Sequence, residues 1–570
     1  MVVLVPLLIL PGVLFHFDVT PKAVTLLAGV SLAMVLGLRP AAPKLLGRLL
    51  ALQAVSLVVS TLVSTDPALS VAGANWRRFG LATQLALVIF SMLLPAPGLW
   101  RAVAASGGLA ALYGIAQYFG ADPFLPRQGY LIGEGVWTIV RPPGTLGHAG
   151  YFGVYLLHVV FAGIGVGKSD LDRVWRWTGG ASATLAAAAI LLSGTRAAVL
   201  GLAAGALTLA LRHRTRLTTR RLAAAGLLMA GMGVFYFSSG GQLLRSRVKW
   251  SLEDRFGGGR PTLWADTLRM AVPRLMAGYG PETFSSQFPS FQSEKLARQF
   301  PDRYYESPHN IFLDALVSQG VAGLAALAGL AAFGLWSLRR NDVLLAGLVA
   351  ALVANQFVSF IVPTALLFYL TIAAGAAPEG EPRTLGRWAV LPAGAAPEPR
   401  TLPRWVALPA ALALLAVACS FAWTDFWMAR TRAALDGGRI EQAIGRYRTL
   451  RRFALPGVDT DLWYSRALFA AANRGAWQEA FEAAERSART SEQRFNACYN
   501  LAAFYALEND FAGTERSLRA AIAIAPRWYK PRWMLAQVFQ QAGRVTEAAV
   551  EARRAAELNP SLPQPAGSVP

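Results

Sequence analysis

The chain has 570 residues, 54% of them hydrophobic, and a mean hydropathy of +0.39. Apolar runs of helix length fill its first three-quarters, which excludes a soluble globular protein and predicts an all-α polytopic membrane bundle. Its formal charge of +21 would suggest nucleic acid in a soluble chain, but most Arg and Lys sit in short loops between apolar runs, where they set topology; no nucleic-acid partner is expected.

Thirteen spans are predicted, at 2–16, 22–38, 45–63, 81–95, 99–119, 148–167, 179–193, 196–211, 221–238, 309–338, 342–358, 363–377 and 405–424. The first has no basic leader and no small-residue cleavage site, so it reads as a retained span. Pro363 and the polar Gln356 and Ser359 divide 342–377 into two short spans with a tip near 359–362. Basic residues gather in alternate loops: Arg39, Lys44 and Arg48; Lys168, Arg173 and Arg176; Arg212, Arg214, Arg216, Arg220 and Arg221; Arg339 and Arg340; Arg383, Arg387, Arg400 and Arg404. Those loops read as cytoplasmic. The N-terminus is then inside, as is the linker 378–404, while the 239–308 loop and everything after 425 are outside.

The outer face carries the residues suited to chemistry. Arg141-Pro142-Pro143-Gly144-Thr145-Leu146-Gly147-His148 leads into the sixth span, a rigid approach with Arg and His facing outward. A wet His at a helix end is the alternative for His148. Ser193-Gly194-Thr195-Arg196 joins two apolar runs of about 15 residues, short of the roughly 20 that cross the hydrocarbon. The tip should lie below the membrane surface, where an Arg is costly unless it lines a wet cavity or meets an anion. Snorkelling at a helix end is the other reading.

Within 239–308, Gly257-Gly258-Gly259 delivers Arg260 to a helix starting at Pro261, and a planar guanidinium suits bidentate phosphate binding. A solvated surface Arg is equally compatible with that pattern. Pro273 to Gly280 is turn-rich and predicted to fold back over the cavity. Ser307-Pro308 reads as a helix start, with Ser as N-cap and Pro in the first turn. His309-Asn310 then stands at the head of a long apolar run, followed after nine residues by Gly320-Val321-Ala322-Gly323. The positive end of a helix favours neutral imidazole and attracts anions, which suits a base acting on a lipid-linked phosphate. An imidazole that merely ends a helix fits the spacing as well.

The two cysteines, Cys419 and Cys498, support neither a disulfide framework nor a metal site, and Glu253-Asp254 is an isolated acidic pair. No phosphate-binding Gly-Lys-Ser/Thr loop or dinucleotide motif is visible, so neither metal nor other cofactor is expected. The region 426–570 is charged and Ala-rich. Pro526 and Pro560 stand 34 residues apart, as do Leu501 and Leu535, Ala502 and Ala536, Tyr505 and Phe539, and Trp477 and Phe511. That period is the tetratricopeptide (TPR) signature, and it predicts an α-solenoid able to bind a protein partner.

Four of these elements together resemble the O-antigen ligase and O-antigen polymerase superfamily of bacterial membrane glycosyltransferases. They are Gly144-Thr145-Leu146-Gly147 before a span, Gly194-Thr195-Arg196, Arg260 with Trp264 and then Pro273 to Gly280, and His309-Asn310-x9-Gly320-x-x-Gly323. The similarity covers about residues 70–377. It implies a GT-C-like domain over 1–425 in the bacterial inner membrane, with the 426–570 repeats in the periplasm. The implied reaction moves a glycan from undecaprenyl pyrophosphate to an acceptor hydroxyl on the periplasmic face without metal. By the resemblance His309 deprotonates or orients that hydroxyl, and Arg196 and Arg260 hold the pyrophosphate. Arg141, Asn310 and His148 are expected to bind substrate.

His148 departs from the family, many members having Asn or another polar residue there. The thirteenth span and the repeats are additions to a twelve-span plan. The acceptor stays open between lipid A-core, a growing glycan and a protein, so ligase, polymerase and protein O-oligosaccharyltransferase readings all stand. A transporter or flippase would call for internal inverted repeats and charges near midplane, and neither is visible. A membrane-anchored scaffold would need one span rather than thirteen.

Overall fold

A computed structural model describes residues 1–37, 42–92, 98–132, 139–213, 230–231, 233–253, 259–376, 404–455 and 460–562. Most of the expected span 221–238, Gly257, Gly258, most of the linker 378–404 and the basic residues Arg39, Arg214, Arg216, Arg220, Arg221, Arg383, Arg387 and Arg400 lie outside the described residues. The described chain is helical apart from a two-residue antiparallel ladder pairing Leu131–Ile132 with Ile139–Val140.

Among the described residues, five helices are long and apolar enough to cross a membrane: Lys44–Leu62, Leu99–Tyr118, Ala149–Ser169, Ile311–Arg340 and Trp405–Asp436. Shorter apolar helices occupy Thr20–Val35, Leu81–Met92, Asp342–Ala354 and Val362–Gly375, and Arg173–Leu192 and Arg196–His213 complete the bundle. Among the described residues, five of the thirteen expected spans thus reach full membrane-crossing length. The 342–377 stretch does divide, with its break at 355–361.

The segment 2–16 is not a span. Only Leu4–Leu7 is helical: the chain turns extended at Leu8 (ψ 116°), and Pro11 and Gly12 (φ +74°) follow before another helical turn forms. Pro6 accepts a hydrogen bond from Thr145 Oγ1 at 2.7 Å, and Leu8 accepts one from Lys22 Nζ at 2.9 Å. The chain before Thr20 therefore folds beside the bundle, and Asp18 and Val19 end up on the same cavity as His309.

The Ala149–Ser169 helix is the hub of the bundle and is almost wholly buried, with Phe152, Tyr155, Leu157 and Phe161 inside the core. It packs closely on Arg173–Leu192. A Cβ on Gly163 would lie 2.6 Å from the Gly179 carbonyl oxygen, so only glycine permits this approach. These two helices have 20 and 21 residues, and Arg196–His213 has 18, longer than the short hairpin expected around Arg196.

Two corrections concern the His309 helix. It begins at Ile311, not at Pro308, and its N-cap is Asn310, whose Oδ1 accepts from Phe312 and Leu313 N–H at 2.9 and 3.1 Å. It also breaks at Gly320 (φ +68°, ψ −163°). The 275–280 turns fill the break: Val321 N–H donates to Leu275 O, Tyr279 N–H to Val317 O and Gly280 N–H to Ser318 O, at 2.8 to 2.9 Å. This stretch does not fold over the cavity, because its backbone completes a helix instead.

The 239–308 segment holds the helices Gln242–Glu253, Arg260–Ala271, Phe284–Phe291 and Glu294–Gln299, the last three around a core of Leu263, Met270, Phe284, Phe288 and Leu296. One continuous helix, Arg404–Asp436, carries the chain into the tail. There the helices starting at Trp477, Phe511 and Val545 have 14 residues each and begin 34 residues apart. The tail rests on the 239–308 segment: Asp302 takes Tyr529 Oη at 3.0 Å and Lys530 Nζ at 2.8 Å, and Arg554 pairs with Glu294. At its root Asp425, fully buried, binds His16 Nδ1 at 2.9 Å and the buried Arg78 at 3.4 Å.

Candidate active site

A cavity of about 890 Å3 opens where several helices begin. The first residues of Thr20–Val35, Ala149–Ser169, Arg196–His213, Arg260–Ala271 and Val362–Gly375 all reach it or its rim, directing positive helix ends inward. Among the described residues its wall has seven basic side chains (Lys22, Arg77, Arg141, Arg196, Arg247, Arg260 and Arg303) and two acidic ones, Asp18 and Glu306. Arg77 is paired with Glu282 and Asp314, but the other six still outnumber the two acids, an imbalance that favours anions over cations in a concave site.

The loops that aim these groups are pinned by hydrogen bonds. Arg141 leaves the short ladder with its N–H on Tyr130 O at 3.1 Å, and Gly144 N–H is held by Gln117 Oε1 at 2.8 Å. His148 is the N-cap of the hub helix: its Nδ1 accepts from Gly150 N–H at 3.1 Å, which leaves the proton of a neutral ring on Nε2. The Ser-Gly-Thr turn before Arg196 is fastened by Thr195 Oγ1 to Ala149 O at 3.0 Å, and Arg247 Nε donates to Gly194 O at 3.0 Å. Arg260 is the first residue of its helix, after Gly259 (φ +77°), and donates to Phe357 O at 3.3 Å.

His309 stands at φ +53°, a left-handed conformation rarely taken by residues other than glycine and characteristic of functional positions. Its Nδ1 is 3.4 Å from Ser307 Oγ, which in turn accepts from Ser359 Oγ at 2.8 Å. The preceding carbonyl, Pro308 O, takes Trp264 Nε1 at 3.0 Å. Asn310 is buried, and besides capping its helix its Nδ2 donates to Gln356 Oε1 at 3.0 Å. It therefore positions His309 from behind and does not line the cavity, contrary to its expected role as a substrate ligand.

Electrostatics follow from this crowding. Burial, then Arg260, Arg303, His148 and Arg77, hold the His309 imidazole at about 3, so it is neutral at physiological pH. His148 opens onto the cavity, and enclosure with Arg141 and Arg260 holds it below its ordinary value too. Burial and then Arg196 lower Arg141. Burial raises Glu306, an effect Arg77 opposes. For Arg77, burial alone would lower the pKa, but Asp314 and Glu282 outweigh it and keep the guanidinium charged: Nε donates to Glu282 Oε1 at 2.6 Å and Nη1 to Asp314 Oδ2 at 2.9 Å.

His309, Arg196, Arg260, Arg141 and His148 thus meet in one cavity, although up to 168 positions separate them. Residues 181–328 match the family model for O-antigen ligase. The match spans about a quarter of the chain and holds Arg196, Arg260 and His309, while Arg141 and His148 precede it. No curated protein matches the chain.

Sequence reasoning missed Arg77, Arg247, Arg303, Trp76, Tyr151 and Glu306 as parts of this wall. The available signal was the Arg77-Arg78 pair in an outer loop otherwise poor in basic residues, which served there only to orient the spans.

Proposed function

We propose that the protein is a multi-pass glycosyltransferase of the O-antigen ligase or polymerase type, acting at the outer face of the bacterial inner membrane. The donor is a glycan on undecaprenyl pyrophosphate, and the acceptor is a hydroxyl of lipid A-core, of a growing glycan or of a protein. The observation that carries this reading is the cation-rich cavity at converging helix starts, with a neutral imidazole on its wall.

In the proposed step the acceptor oxygen bonds to the anomeric carbon as the bond from that carbon to the pyrophosphate oxygen breaks. His309 takes the hydroxyl proton, and the electron pair leaves on undecaprenyl pyrophosphate, whose charge Arg196, Arg260 and Arg141 stabilise. These fixed guanidinium groups do the electrostatic work, so the reading invokes no metal. An imidazole held near 3 is a feeble base. Bound pyrophosphate offsets Arg260 and Arg303, the leading charged causes of that depression, and returns the imidazole toward its ordinary range. The base is then strongest only when the donor is in place.

The cavity, the outer loop and the tail share one side of the bundle, so the tail belongs in the periplasm on this reading. We read residues 1–425 as the transferase domain and 426–570 as a TPR domain whose repeats begin near Asp436. Its 34-residue helix period and small buried residues (Ala480, Ala483, Ala484, Ala502) support that assignment.

The test is transfer by purified protein from an undecaprenyl-pyrophosphate-linked oligosaccharide to isolated lipid A-core. Product with release of undecaprenyl pyrophosphate is expected for a ligase. Elongation of the lipid-linked chain in its place identifies a polymerase. A folded protein that consumes no lipid-linked donor with any acceptor overturns the reading.

A further inference from the structure

A second cavity, of about 580 Å3, adjoins the first, and Trp76 and Glu306 line both. Its far wall comes from the tail: Trp463 and Arg466 on the Asp461–Ala472 helix, and Glu492, Gln493 and Asn496 at the start of the next repeat. Phe15, His16, Asn75 and Tyr304 close it from the membrane side. The cavity exists only because the tail is docked.

Its chemistry is specific. Flat aromatic surfaces alternate with planar amides and carboxylates, the two features that recognise a pyranose ring with one apolar C–H face and a rim of hydroxyls. Phe15 meets Trp463 edge to face at 4.9 Å, which fixes the indole. Arg466 Nη2 donates to Asn496 Oδ1 at 2.8 Å, and Asn496 Nδ2 donates to Gln493 Oε1 at 3.1 Å, so the amides are ordered before any ligand arrives. Lipid tails would require an unbroken apolar lining, which this wall is not. The volume lies within the roughly 300–1,000 Å3 of small-ligand sites. On the catalytic side Trp76 stacks on Tyr151, with ring centroids 6.4 Å apart, and lies under the Arg77 guanidinium at 4.6 Å.

We propose that the second cavity binds a carbohydrate chain and that Trp76 and Glu306 pass its terminal sugar to the His309 cavity. The inference rests on the transferase reading above for what happens next, but not for the binding itself. The tail then completes the glycan path and is more than a platform for a protein partner.

The experiment uses full-length protein in nanodiscs and three probes: lipid-free core oligosaccharide, repeat-unit oligosaccharide freed from its carrier, and a Ser/Thr-rich peptide. Saturation-transfer NMR and tryptophan fluorescence report binding. At least one oligosaccharide should bind, and Trp463→Ala and Asn496→Ala should each weaken it about tenfold. Trp463 also packs on the tail core, so Asn496→Ala, which leaves that core intact, is the variant that should keep the melting temperature unchanged. Binding of core oligosaccharide identifies the acceptor as the source, and binding of the repeat unit identifies the donor glycan. In transfer assays the loss in these variants should fall on KM and not on kcat. Binding by neither oligosaccharide, binding of the peptide alone, or binding indifferent to both substitutions overturns the proposal. Wild type that transfers without binding sugar would sink this subsite and leave the transferase standing. Wild type that binds sugar but never transfers would do the reverse.

Discussion

Arg77 and Arg141 face the same cavity in opposite electrostatic conditions. Arg77 carries its own counter-ions, Glu282 and Asp314, and is held charged by them. Arg141 is flanked by Arg196, and both burial and that neighbour work against its charge. A buried cation with built-in carboxylates fixes loops to helices; a cation pressed against another cation gains most when an anion enters. The difference separates scaffold from binding site, which burial alone does not.

The largest effect should come from the group both regions serve. His309→Ala is expected to lower transfer by about 10²–10⁴-fold with little change in melting temperature, because the ring lines the cavity and its contact to Ser307 Oγ is a long one, 3.4 Å. Retained turnover would remove the imidazole from the chemistry. Next, Arg77→Met should cost about 3–5 kcal/mol of stability by stranding two carboxylates, whereas Arg141→Met should leave unfolding nearly unchanged and weaken inhibition by inorganic pyrophosphate. Equal destabilisation by the two would erase the contrast drawn here.

The third expectation concerns pH. The folded His309 pKa, about 3, lies below its unfolded value of roughly 6.5, so the unfolded chain binds the proton first as pH falls between those limits. Stability should decline from about pH 6.5 toward pH 3, and His309→Asn should flatten part of that slope in thermal melts. An unaltered slope would show that other groups carry it. The smallest effect belongs to the exposed tail contact: Asp302→Asn, which removes the Lys530 ion pair, should change stability by less than about 1 kcal/mol.

Much of the bundle was legible because apolar runs of helix length admit few alternatives. The division of 342–377 was legible too, since Pro363 and the polar Gln356 and Ser359 interrupt a run otherwise free of breakers. The segment 2–16 misled for the opposite reason: its composition is apolar, but its helix ends after one turn at Leu8, ahead of Pro11 and Gly12. The helix start at Ile311 was misplaced because Ser307-Pro308 and Asn310 both satisfy capping rules, and only the loop geometry that turns His309 to positive φ decides between them. Arg196, Arg260 and His309 were found through glycines and helix ends next to them. Arg247, Arg303 and Glu306 sit in sequence with no such marker, and three-dimensional packing alone brings them to the wall.

The interruption at Gly320 has a mechanical consequence. Ile311–Gln319 forms a short rod whose lower end is stitched to residues 275–280, and Trp264 grips the backbone just ahead of the imidazole. Asn310 Nδ2 on Gln356 Oε1, Ile311 N–H on Asn355 O and Arg260 on Phe357 O tie the head of that rod and the start of the Arg260 helix to the 355–361 turn. The place of the imidazole is therefore set by hydrogen bonds from three separate stretches of chain, Trp264, residues 275–280 and the 355–359 turn, and not by the length of its own helix.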